Sequence, residues 1–101
     1  MDIILIYVTH KDKNNAQKVT DHLFNLRLIA CVTFPVESQY FRKNNIEQSQ
    51  EYVTIYKTKP QNREKVKQEI KKIHSYAVPS IIKVTGEVNH AYGNRVVENV
   101  A

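Results

Sequence analysis

The chain begins with a run, Ile3 to Thr9, that is rich in β-branched and aromatic residues and too short for a helix. It predicts a strand. Asp12 or Asn14 can cap the next segment, where Ala16, Val19, Leu23 and Leu26 recur at near-helical spacing and predict a helix with those four inward. Ile29 to Phe34 predicts a second strand, bent or bulged at Pro35, because proline removes one ladder donor. Ser38 to Phe41 continues it toward a turn at Lys43-Asn44-Asn45, since asparagine tolerates the left-handed conformation well. Glu51 to Thr58 returns as a third strand, with Tyr52, Thr54 and Tyr56 alternating against Val53 and Ile55, and Pro60 ends it. Gln61 to Ile73 predicts a second helix with Val66, Ile70 and Ile73 inward. Ser80 to Val88 predicts a fourth strand, and the closing segment fits either a short helix or a small strand through Val96, Val97 and Val100.

The order βαββαβ predicts an α+β fold over residues 1–101 as a single domain. Its form is a ferredoxin-like sandwich, an antiparallel sheet with two helices on one face. Two helices cover one face only. Yet the first strand is apolar on both, with Ile4, Ile6 and Val8 on one side and Ile3, Leu5 and Tyr7 on the other. Something must cover the second side, and in a chain this short a further copy of itself is the expected cover.

Composition narrows the classes. At 101 residues and 42% apolar content, a core forms without a metal or disulfide staple. Cys31 is the only cysteine, so no intramolecular disulfide is possible, which suits a reducing compartment and a cytoplasmic location. Met1-Asp2 runs into Ile3 to Val8 with no basic leader, and six apolar residues cannot span a bilayer, so no membrane association is expected. The formal charge of +5 is concentrated between Lys57 and Lys72, mostly on the outer face of the second helix, where a solvated surface accounts for it. Nucleic acid is not expected as a partner: the RRM shares the βαββαβ order, but Gln50 to Lys57 lacks its Gly-aromatic signature. Ser38, Cys31 and His74 are accompanied by no nucleophile elbow, and Gly86 and Gly93 stand far from them in sequence. Neither an enzyme nor an organic cofactor is expected.

Four elements in order give the chain a family likeness. They are the run from Ala16 and Leu23 through Leu28 into Ala30-Cys31-Val32; Ser38-x-Tyr40-Phe41; Ile46-Glu47, Glu51 and Lys57-Thr58; and His74-x-Tyr76-x-Val78-Pro79-x-Ile81-Ile82. With these, the chain resembles the CutA family of divalent-cation tolerance proteins from about residue 3 to 88. It departs from the family pattern at Arg42, Asn44, Ser75 and Ser80, and Arg95 stands where a C-terminal tryptophan is usual. The resemblance implies a homotrimer whose edge strands pair between subunits and whose sheets face inward, with an architecture similar to PII-type signalling proteins. It also implies binding of Cu(II) or another divalent cation and a role in metal-ion tolerance.

Three residues are candidate metal ligands: Cys31 and His74, with Glu51 assisting. A thiolate binds copper and zinc well, although a cysteine inside an apolar strand also serves as a small hydrophobe. Imidazole is a common ligand, although His74 at a helix end also suits the negative pole of the dipole. Cys31 and His74 lie 43 positions apart, so a shared site needs the fold or a neighbouring subunit to join them. Glu51 and Lys57 are expected on opposite faces of their strand. His10, His22 and His90 are expected at the surface, with His22 beside the apolar stripe and partly covered. Tyr7, Tyr52 and Tyr56 are expected in subunit interfaces. A second reading, from a different class, is a PII-like scaffold or small-ligand sensor without metal dependence, with Lys57, Lys83 or Arg42 contacting an anion.

Overall fold

The computed structural model describes residues 1–34, 38–42, 45–49 and 51–101, with side-chain detail for 1–34 and 51–101. Its elements are β1 (Asp2–His10), α1 (Lys13–Asn25), β2 (Cys31–Thr33), β3 (Ser38–Arg42), β4 (Asn45–Ser49), β5 (Tyr52–Thr58), α2 (Arg63–Ile73), β6 (Ile81–Glu87) and α3 (His90–Glu98). Four strands form one antiparallel sheet in the order β2-β5-β1-β6, the ferredoxin-like arrangement. β3 and β4 form a separate two-stranded ladder inserted between β2 and β5. The expected bulge at Pro35 and the turn residues Lys43 and Asn44 lie outside the described residues. Asn45 lies inside β4, paired with Arg42. A strand over 45–49 was not expected from the sequence, because Ile46 is the only large apolar residue in it and sets up no alternation.

The core lies between the sheet and the helices α1 and α2. Ile4, Ile6 and Val8 of β1 and Tyr56 of β5 meet Val19 and Leu23 of α1 and Val66 and Ile70 of α2, and all are buried. Each such aliphatic side chain contributes roughly 1.5–3 kcal/mol by leaving water. Ile73 packs against this cluster from its edge. Tyr56 is fully buried within one protomer, so it is core rather than an interface residue as expected. The reason is register: Tyr56 pairs with Ile6 and shares its helix-side face. Leu26, expected inward, is 41% exposed, because α1 has already ended there.

Helix ends follow local chemistry. Asp12 caps α1, its carboxylate accepting from the Asn15 N–H at 2.8 Å. The exit of α1 is a Schellman turn: Leu28 N–H donates to Leu23 O at 3.0 Å and Arg27 N–H to Phe24 O at 2.9 Å, with Arg27 at φ 55°. From there Leu28 and Ile29 enter the core, and β2 starts only at Cys31, two residues later than expected. The Leu28 carbonyl accepts from Thr58 Oγ1 at 2.6 Å and from Asn62 Nδ2 at 3.3 Å, which ties the α1 exit to the end of β5.

The closing segment resolves as helix. α3 crosses to the other side of the sheet at one end, with Gly93 placed against Met1 and Val88. It leaves most of that face open. Leu5 and Tyr7 are half-buried, and their ladder partners Val84 and Ile82 are 44% and 57% exposed. Among the described residues, no helix is long and apolar enough to cross a membrane.

Candidate functional site

Cys31, His74 and Glu51 fall in separate places. Cys31 opens β2 and pairs with Lys57, which in turn pairs with Leu5. All three therefore lie on the face away from α1 and α2. α3 brings Tyr92 onto the same spot. The Tyr92 hydroxyl accepts from Lys57 Nζ at 3.2 Å and lies 3.8 Å from Cys31 Sγ. Lys57 Nζ also sits 5.2 Å from the Tyr92 ring centroid. The hydrogen bond to Tyr92 holds the Lys57 ammonium above its usual range, and the nearby Cys31 adds to this. Cys31 is a free, half-buried thiol. Beside it lies a cavity of about 120 Å³ lined by Tyr92, Arg95 and Asn99.

His74 stands at the opposite end of the sheet and on its helix side. It caps α2, its own N–H donating to Ile70 O at 2.8 Å. Its Nε2 donates to the Thr9 carbonyl at 2.7 Å, and its Nδ1 accepts from the Tyr76 N–H at 3.0 Å. Both ring nitrogens are thus committed inside the protein. The ring stacks on His10, with centroids 5.0 Å apart and planes at 21°.

His10 corrects the surface expectation, for it is fully buried. The signal was in the parity of β1: Ile4, Ile6, Val8 and His10 all point to the helices. Its Nδ1 faces the Asn15 side-chain oxygen at 3.2 Å and its Nε2 the Thr54 hydroxyl at 2.9 Å. A buried polar chain continues from Thr54 through the Tyr56 hydroxyl to Thr20 on α1, the last link 2.8 Å long. Burial lowers the His10 pKa from 6.5 to about 4, outweighing the Asn15 hydrogen bond that favours the charged form. His22, as expected, is partly covered, and it meets Glu69 at 3.1 Å. His90 is exposed.

Glu51 is half-buried just before β5. An even step of six residues keeps positions 51 and 57 on one parity, contrary to the expectation of opposite faces. What separates Glu51 from the Cys31 pairing position is about 20 Å of strand. The three predicted ligands therefore do not meet within one protomer. Among the described residues, no three His, Cys, Asp or Glu side chains are grouped to hold a metal ion. The group at Cys31 was missed in the sequence because Tyr92 reaches it only through the placement of α3.

Known proteins match this architecture throughout. The family described as CutA1 divalent ion tolerance protein matches residues 4–99. The chain belongs to the CutA1 family. The CutA of Pyrococcus horikoshii, a divalent-cation tolerance protein, is 35% identical over 95% of this chain and 96% of its own. That of Thermococcus kodakarensis is 34% identical over 83% and 82%. A crystal structure of Pyrococcus horikoshii CutA superposes with a TM-score of 0.88 at 34% identity, covering 97% of this chain and 99% of that one. The Archaeoglobus fulgidus protein, described as a periplasmic divalent cation tolerance protein, gives 0.87 at 27% identity over 98% and 99%. This CutA1 chain thus keeps the family fold along nearly its whole length, and the family is named for tolerance of divalent ions rather than for a reaction.

Proposed function

We propose that this CutA1 chain works as a cytoplasmic homotrimer that binds a divalent cation, with copper the ion and Cys31 the ligand that captures it. The carrying observation is the contrast in lone-pair commitment. The Cys31 sulfur has one weak hydrogen-bond contact among the described residues, Tyr92 Oη at 3.8 Å, with the Lys57 ammonium close by and a cavity beside it. The His74 nitrogens are both in use. A thiolate suits copper and zinc, and among divalent first-row ions affinity for a given site peaks at Cu(II). Among the described residues no cluster of three His, Cys, Asp or Glu side chains includes Cys31, so the reading takes its further ligands from a neighbouring subunit. The homotrimer is supported by the open apolar face around Leu5, Tyr7, Val84 and Ile82, which one protomer leaves uncovered.

Light scattering with metal analysis of the same peak tests this reading. We expect a trimeric mass with and without Cu(II), and copper carried in fixed proportion to chain. Cys31→Ala should abolish uptake and leave the mass unchanged. Full copper uptake by Cys31→Ala would remove the assignment, and a monomeric mass would remove the trimer.

A further inference from the structure

We propose that the groove between α2 and β6 binds a compact, multiply charged phosphate anion, at a site complete within one chain and separate from Cys31. The groove has a volume of about 320 Å³ and four cations in its wall: Arg63, Lys67, Lys71 and Lys83. Among the described residues, no acidic side chain lines it. Its floor is apolar, made by Ile6, Pro79 and Ile81.

Two features of the sequence concentrate this charge. Arg63, Lys67 and Lys71 follow each other at four-residue steps, so they form one stripe along about 12 Å of helix. Like charges at that spacing destabilise a helix by a few tenths of a kcal/mol per pair. Lys83 comes from the other wall. It pairs with Ile6 in the sheet and shares the helix-side face, a place where an apolar residue is the rule.

The opposite flank of α2 shows what neutralisation looks like. There Glu69 is buried and meets Lys72 at 2.7 Å, His22 at 3.1 Å and Lys65 at 3.9 Å. The groove has nothing comparable: among the described residues, its only ion pair is a long contact of 3.9 Å between Lys67 and the exposed Glu64. Lys83 is exposed and donates to Thr85 Oγ1 at 3.1 Å, and a lysine on an edge strand also discourages edge-to-edge pairing, which would explain Lys83 alone. It leaves the Arg63-Lys67-Lys71 stripe unexplained. Several converging cations over an apolar floor fit several phosphate charges at close spacing, with room for a small apolar group beneath.

Calorimetry on the full chain tests the site, using inorganic tripolyphosphate and a nucleoside triphosphate as probes, with EDTA present to exclude metal. We expect saturable binding of one anion per chain, weakened by added salt. Lys67→Gln and Lys83→Gln should each lower affinity by about tenfold, while Lys18→Gln on α1 should not. Titration followed by methyl NMR should move the Ile6 and Ile81 signals. A tighter nucleoside triphosphate would show that the floor takes the organic group, and equal affinities would show that the phosphates alone are read; both support the site. Absence of saturable binding to either probe would overturn it, as would equal losses from Lys18→Gln or methyl shifts confined elsewhere. Cys31→Ala should bind the anion like the natural chain, so failure here and failure of the copper reading are separable.

Discussion

The two ends of the sheet carry the two residues that the sequence nominates most strongly, and they are built in opposite ways. At the His10–His74 end every ring nitrogen has a partner within 3.2 Å, and the rings stack inside the protein. At the Cys31–Tyr92–Lys57 end the contacts are 3.2 and 3.8 Å and a cavity adjoins the sulfur. Residue type alone ranks a histidine and a cysteine as equal candidates. The difference teaches that availability is decided by what the donor atoms already hold. The first end is cross-bracing, and the second leaves a thiol beside a cavity.

Four changes sharpen or break that contrast. His10→Ala should have the largest effect, about 3 kcal/mol lost in urea unfolding, because it leaves a cavity and strands Asn15 and Thr54. His74→Ala should cost about 2 kcal/mol, since the Thr9 carbonyl and the Tyr76 N–H lose their partner. On the proposed reading both should keep copper uptake intact, and a loss of uptake without unfolding would erase the distinction between the two ends.

Acid titration reads the same end more gently. The folded His10 pKa of about 4 lies below the ordinary 6.5, so between those values the unfolded chain holds a proton that the folded chain does not. Stability should therefore fall as pH drops from about 6.5 toward 4 and stop falling on this account below it. His74 and Asp12 act on the same ring with opposite signs. Unfolding midpoints measured across this window should flatten in His10→Gln relative to the parent. At the other end, Tyr92→Phe should cost no more than about 1 kcal/mol. It should nonetheless change the rate at which Cys31 reacts with an aromatic disulfide, followed by absorbance.

Much of the fold was readable from pattern. The strand and helix order followed from alternation and near-helical spacing, and Asp12 was readable as a cap. His10 was readable too: its parity with Ile4, Ile6 and Val8 places it inside, although it has no partner spacing of its own. Tyr56 shares that face through its register with Ile6. Other features were beyond local signals. β4 has a single large apolar residue, and Leu28 and Ile29 have strand composition but pack as core before the ladder begins. The grouping of Tyr92 with Cys31 depends on α3 crossing the sheet, a tertiary event that no spacing encodes. The candidate ligands were legible as residue types, but their mutual distances were not.

The exposed Ile82 and Val84, beside Leu5 and Tyr7, have a thermodynamic consequence of their own. With that face covered by copies of the same chain, as proposed, part of the folding free energy resides in association. Such a protein has no single melting temperature. Its midpoint climbs with the logarithm of its own concentration, and dilution acts on it as a denaturant.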